Sequence, residues 1–223
     1  MLFSLGLSGQ SALNGTWVLA GLDSMRSGQS RAALFAGLYY RTTARALAFY
    51  ANDDTVIQTR MDRFEFSFYR IFLDAARASR EADSIPIVWQ TYFLDTAPGR
   101  LRGLLLGINA HINGDIWKAL TSSFSRIEIA RLTPDYRRFN QSLLMEFDSL
   151  YRYAISQNRR LKTFHLLSLG LDRYLGRRML MRWRNRQLAI SRLYFDSPGR
   201  FRKSLLRIQH KKARIDRRIL SQI

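Results

Sequence analysis

Two side chains four residues apart, His111 and Asp115, stand out in the run LLLGINAHINGDIWKAL. On an α-helix, positions i and i+4 leave the same face, so an imidazole and a carboxylate are placed side by side. Three kinds of chemistry suit such a pair. It can hold a divalent metal ion jointly, because imidazole nitrogen and carboxylate oxygen are both ligands for such ions. It can act as an acid–base pair, with His111 as general base and Asp115 orienting the ring. It can also be a plain hydrogen bond that fixes helix register, and the residue types alone leave all three open. A metal needs further carboxylates, and the long helical segment at 56–78 offers Glu65 and Asp74, with Arg70 as a candidate counter-ion.

The element that must position this pair is Leu101 to Leu120, read as one central helix. At 100° per residue, Leu101, Leu104, Leu105, Ile108, Ile112 and Ile116 fill one arc, with Asp115 inside it and His111 at its border. Gly103, Gly107, Ala110 and Gly114 form a second strip with no bulky side chain, along which another helix can approach closely. Asn109 and Asn113 share a third face and are expected to bond to neighbouring helices. A solvated helix gathers its polar residues on one side, whereas this one scatters them, so it is expected to be buried on nearly every side. Each buried polar group then needs a partner, because an unpaired one costs about 1–3 kcal/mol.

The rest of the chain reads as helix. Ser30 is placed to cap a helix running to residue 51, and a long amphipathic helix follows. Pro86 opens a shorter one, and Pro98-Gly99 marks a stop before the central helix. Thr133-Pro134-Asp135 begins another. Residues 161–195 hold Arg-rich helix divided near Gly170 or Gly176, and a last helix follows Ser197-Pro198-Gly199. No stretch shows sustained β alternation. The expectation is an all-α single bundle of seven or eight helices around the central one. It divides into an N-terminal segment at 1–29, a helical core at 30–157, and a basic helical region at 158–223 that packs on the core.

The 223 residues carry a formal charge of +19, most of it at one end. Residues 151–223 hold 20 Lys and Arg against three acids, leaving 16 against 14 for residues 1–150. The last third therefore reads as a surface for an anionic partner: an acidic protein, an anionic membrane surface or RNA. Arg182, Arg184, Arg186, Arg202, Lys203 and Arg207 are the candidate anion-binding residues, since guanidinium suits paired contacts to phosphate or carboxylate. No nucleic-acid-binding module appears, so sequence-specific reading of DNA is not expected. The chain has no Cys, which excludes disulfides, thiolate metal sites and cysteine nucleophiles. With no basic n-region at the start, this favours a reducing compartment such as the cytoplasm. No uncharged run reaches the roughly 18–20 residues of a membrane-spanning helix. P-loop, GxGxxG, GxSxG and HExxH patterns are all absent.

LLLGINAHINGDIWKAL closely resembles the LLLGMNAHIN-x-DL signature of the DUF5995 family, an uncharacterised group of helical proteins. LFAGLYYRTT at 34–43, FLDA at 72–75, Trp89 and Phe93, and DYRRFNQSL at 135–143 agree with it in order. The likeness covers roughly residues 30–195 and is strongest at 103–116. It implies a helical fold and assigns no activity. Gly114 stands where the resemblance implies a larger residue, and the basic C-terminal extension is heavier than the resemblance implies. The HxxxD spacing also resembles that of zinc-dependent phospholipases of helical fold. Three histidines, His111, His165 and His210, are too few for their trinuclear centre. The reading is a helical protein with a buried polar pocket at His111 and Asp115. That pocket would take a divalent metal ion or a small ligand and support hydrolysis. The alternative is a non-enzymatic scaffold that uses its basic third to hold an anionic partner.

Overall fold

A computed structural model describes residues 6–222 apart from 82, 83, 98, 169 and 170. Among the described residues the chain is all-α, with twelve α-helical segments and no strand. They are α1 (Gly6–Arg26), α2 (Arg31–Tyr50), α3 (Thr55–Arg80), α4 (Ile87–Leu94), α5 (Arg100–Ala110), α6 (Ile116–Ser123), α7 (Arg126–Arg131), α8 (Thr133–Ser142), α9 (Leu144–Gln157), α10 (Arg159–Leu167), α11 (Leu171–Asp196) and α12 (Pro198–Gln222). A π-turn, His111–Asp115, joins α5 to α6, so 100–123 forms one rod.

This exceeds the seven or eight expected helices, for local reasons. The N-terminal segment is a full helix rather than a punctuated lead-in, because Val18 and Leu22, four apart, are both completely buried in α1 where it packs on α2 and α3. After α6 the chain turns at Phe124 into a capping box, where the Ser125 side chain accepts from the Glu128 N–H and Glu128 accepts from the Ser125 N–H. The division of the Arg-rich segment falls between Leu167 and Leu171, while Gly176 lies inside α11. Gly170 itself, like Pro98 of the expected stop, lies outside the described residues. Gly99 precedes α5 at φ 145°, a conformation closed to most L-residues.

The rod is the centre of the bundle. Leu101, Gly103, Leu104, Leu106, Gly107, the run 109–116, Ala119 and Leu120 are all buried. From α3, Phe64, Phe68 and Phe72 line up at i, i+4 and i+8 and are almost wholly buried. Phe35 and Tyr39 of α2, Trp89 and Tyr92 of α4, and Tyr136 and Phe139 of α8 complete the aromatic core. The strip of small residues is where α2 and α4 come close. A Cβ on Gly107 would lie 2.6 Å from the Phe35 ring, and one on Gly114 would lie 2.8 Å from Val88 Cβ. Val88 thus fills the space that a larger residue at 114 would need.

The basic region packs on this core along narrow buried stripes. Ile208, Lys212, Asp216 and Ile219 form one stripe on α12, and Arg184, Gln187, Leu188 and Ser191 form one on α11. No helix among the described residues is long and apolar enough to cross a membrane.

Gly107→Ala tests the close packing of α2 on the rod. Alanine favours helix by up to about 1 kcal/mol, but the added Cβ would meet both the Phe35 ring at 2.6 Å and the Phe35 Cβ at 3.3 Å, so the ring and its anchor must both shift. Overpacking costs about 1–3 kcal/mol. Urea unfolding is expected to show a net loss of stability on the order of 1 kcal/mol, where an open site would show a gain.

Candidate functional site

His111 and Asp115 are both buried, the latter completely. They open and close the π-turn, the kind of local widening that often marks functional sites in helices. His111 Nδ1 lies 3.4 Å from Asp115 Oδ2, a long hydrogen bond. The stronger partner of that oxygen is one that sequence reasoning did not place in the site: the Trp89 indole N–H donates to it at 2.8 Å. The position of Trp89 just upstream of the rod was visible, but its reach across from α4 depends on the tertiary packing. Asp115 Oδ1 has no hydrogen-bond partner in the structure.

The imidazole is held by aromatic rings. Phe68 stacks on it with centroids 3.5 Å apart and an interplanar angle of 11°. Tyr39 meets it edge-on at 4.5 Å and Phe35 at 5.2 Å. Burial pushes the His111 pKa below the ordinary imidazole value. The Asp115 hydrogen bond and charge oppose this shift, and Arg184 adds to it. The ring is thus neutral at pH 7, and its buried Nε2 has no hydrogen-bond partner.

Beside His111 lies a cavity of about 120 Å³. Its wall is mostly apolar: Phe35, Leu38, Phe68, Ile108, Phe139, Leu143, Phe147, Leu150 and Leu180. Tyr39, Thr42, Glu65, His111, Glu146 and Arg184 are its polar members. Phe147, Leu150, Leu180, Ile108 and Thr42 are only half-buried, so the cavity meets solvent between α2, α5, α9 and α11. Asp115 is not on the wall; it stands behind His111.

Arg184 is the unexpected member. Grouped by sequence with the surface cations of α11, it is 4% exposed and faces the core. Its Nε donates to Asn140 Oδ1 at 2.5 Å, and its guanidinium lies over the Phe139 and Tyr136 rings at 5.2 and 5.6 Å. Nη2 has no partner, and among the described residues no carboxylate comes within ion-pairing distance. Glu146, by contrast, is paired with Arg45 at 3.0 Å. Glu65 is 3% exposed and accepts from the Thr43 hydroxyl at 3.3 Å. Burial raises its pKa to about 7, although Arg184 and Thr43 pull it down. Tyr39 is pushed up by burial and by Glu65 and Asp115, and its hydroxyl has no partner.

The four residues named together as metal ligands do not converge. Asp74 is exposed; nine residues after Glu65, it falls about 180° around the same helix. Arg70 is exposed too; the cation whose charge acts on Glu65 is Arg184, which stands beyond ion-pairing distance from it. Asp115 Oδ2 is occupied by an N–H donor. No group of three or more His, Asp or Glu among the described residues is disposed to hold a metal. The donor set does not fit a metal centre.

Asn109 faces the other way and bonds α12, as expected, whereas the Asn113 side chain bonds Asn109 on the rod itself. Asn109 Nδ2 donates to Asp216 Oδ1 at 2.7 Å and to the Lys212 carbonyl at 3.0 Å. Asn113 Nδ2 donates to Asn109 Oδ1 at 2.8 Å, and Lys212 pairs with Asp216 at 2.6 Å. His165 is half-buried and bonds Asp172 and Tyr151, while His210 is exposed. Of the remaining basic candidates, Arg182, Arg186, Arg202, Lys203 and Arg207 are exposed. Arg182 and Arg186 crowd Lys211, whose pKa is lowered first by burial and then by those two charges.

Fold and site together define an all-α protein with a buried His–Asp–Trp cluster on a π-turn and a charged apolar cavity beside it. The chain belongs to the family of unknown function DUF5995, whose model matches residues 18–221. The match is wider than the sequence likeness suggested and takes in the last nine of the 21 residues of α1 and nearly all of α12. No curated protein and no solved structure matches the chain.

Glu65 gives a pH signature. Its folded pKa, about 7, lies above the ordinary 4.5, so the native state holds this proton more tightly than the unfolded chain. The resulting stability is fully present below about 4.5 and is lost as pH rises through about 7. Glu65→Gln removes the titration while leaving an acceptor for Thr43. The variant is expected to match the wild type near pH 4 and to exceed it at pH 8 by on the order of 3 kcal/mol, measured by urea unfolding at both pH values. Equal differences at the two pH values would show that Glu65 titrates normally.

Proposed function

We propose that the protein binds a small organic acid in the cavity beside His111: a monocarboxylate with an aromatic or branched aliphatic body. One observation carries this reading. Arg184 is a buried guanidinium on a mostly apolar wall, and neither carboxylate of that wall, Glu65 or Glu146, comes close enough to pair with it. A guanidinium cannot shed its proton, and an uncompensated buried charge is costly. A ligand carboxylate would supply the missing anion through charge-assisted bonds. The volume of about 120 Å³ suits a body near benzene in size, since a dry cavity of about 150 Å³ holds benzene. Glu65, protonated below about 7, would donate a hydrogen bond to the same head. His111 Nε2 and Tyr39 Oη are further polar atoms beside the cavity without partners of their own.

A catalytic reading of the same cavity rests on a different observation. Glu65 titrates near neutrality close to a neutral imidazole backed by Asp115, which suits proton transfer. Turnover of small esters of the same acids, lost in Glu65→Gln with acid binding retained, would support it.

Calorimetry with benzoate, the branched acid isocaproate and the uncharged benzyl alcohol tests the binding reading. Wild type is expected to prefer the carboxylates. Arg184→Met is expected to lose carboxylate affinity roughly 10- to 100-fold, with the alcohol little changed. Arg184→Lys, which keeps the charge without the planar fork, should fall between the two. Equal affinity for acid and alcohol, or carboxylate binding untouched in Arg184→Met, would refute the assignment.

A further inference from the structure

We propose that the corner formed by the end of α10 and the start of α11 docks on an anionic lipid bilayer. This rests on surface features separate from the cavity. Leu166, Leu167, Leu171, Tyr174, Leu175 and Met179 are 47–78% exposed. Taken at 100° per residue from Leu171, the outward arc of α11 holds Tyr174, Leu175, Arg178, Met179, Arg182 and Arg186. The opposite arc holds the inward-facing Leu180, Arg184 and Gln187. The helix is therefore amphipathic on its buried side and again, in the reverse sense, on its exposed side.

The charge at this corner has one sign. Arg159, Arg160 and Lys162 of α10 and Arg178 and Arg182 of α11 are exposed, and none forms an ion pair among the described residues. The nearby acids are engaged within the protein: Asp172 lies 3.0 Å from His165 and accepts from the Ser168 hydroxyl at 2.9 Å, and Asp148 is paired with Arg173 and Arg177 at 2.5 and 3.0 Å. Their side chains are only 8% and 15% exposed. What faces outward is apolar tips with basic side chains around them.

The order along α11 fits a bilayer. Leu171 to Met179 spans about 12 Å of helix, with Arg178 the one cation on its outward arc, and Arg182 and Arg186 stand about 5 and 11 Å beyond, so apolar groups lead and most cations follow. An interfacial element buries its apolar side about 5–10 Å deep while basic side chains reach back to the headgroups. Each basic residue near an anionic surface raises binding roughly fivefold. By contrast, the exposed cations of α12, Arg202, Lys203 and Arg207, have only Leu206 beside them as an exposed large apolar side chain.

Co-sedimentation of the full chain with vesicles tests this. Vesicles of phosphatidylcholine mixed with phosphatidylglycerol are expected to bind it, and phosphatidylcholine alone at least tenfold more weakly. Combined Leu167→Ser, Leu171→Ser and Leu175→Ser should lower binding to the mixed vesicles at least tenfold with the melting temperature unchanged. Arg178→Gln with Arg182→Gln should also weaken binding and reduce its salt dependence. Arg202→Gln with Lys203→Gln and Arg207→Gln should weaken it less. The proposal is overturned if the protein ignores the mixed vesicles at low salt, or if the leucine variant binds them like wild type. It is equally overturned if sedimentation shows a dimer that the leucine changes abolish, which would assign this face to a second copy.

Discussion

A helix enclosed by protein has no water for the polar side chains it carries, and each must find its partner in a neighbouring helix. The 100–123 rod carries Asn109, His111, Asn113 and Asp115, all buried. Each is answered by a different neighbour or by the rod itself. Asn109 is held by Asp216 and the Lys212 backbone of α12, Asn113 by Asn109, Asp115 Oδ2 by Trp89 of α4, and His111 Nδ1 by Asp115, with the ring stacked on Phe68 of α3; His111 Nε2 and Asp115 Oδ1 are left without partners. With about 1–3 kcal/mol at stake for each unpaired group, and a typical domain stable by about 5–15 kcal/mol, these four positions decide which helices may stand where. The apolar residues supply the drive to collapse, and the polar ones select the arrangement.

The cavity follows from the same arrangement. A ring of aromatics fixes His111, and flat rings packed on several sides leave a space between α2, α3, α9 and α11 that side chains do not fill. Glu65 and Arg184 stand on its wall without touching as an ion pair. One of them can change its charge near neutral pH and the other cannot, so the field inside the cavity is set by a single proton on Glu65.

Much of this was legible in the sequence where the physics is local. The scatter of polar residues along 101–120 gave away its burial, the strip Gly103, Gly107, Gly114 gave away close helix contact, and Asn109 and Asn113 were placed on the correct face. His111 and Asp115 were found because i, i+4 spacing survives any packing. The opposed placement of Asp74 and Glu65 followed from the same periodicity, yet the two were grouped by chemistry alone. Arg184 could not be read. It lies among Arg182 and Arg186 in a basic run, and only the direction in which α11 turns its stripe separates the buried cation from the exposed ones. Trp89 was visible as a neighbour in sequence but not as the donor to Asp115, since that bond joins helices 26 residues apart. The N-terminal helix was hidden by Gly and Ser, which weaken helix in isolation and are overridden when Val18 and Leu22 pack.

The widened turn at 111–115 has a consequence for how this rod tolerates change in length. An α-helix becomes a π-turn by taking in one additional residue without altering the path of the chain on either side. The rod thus carries a spare codon at its most crowded point. Losing it would restore an ordinary spiral there and leave Ala119 and Leu120 facing their present neighbours, whereas a deletion elsewhere in the rod would spin everything beyond by about 100°. A single in-frame deletion in the rod is judged by every contact downstream, except at this spot, where it is judged by the local side chains alone.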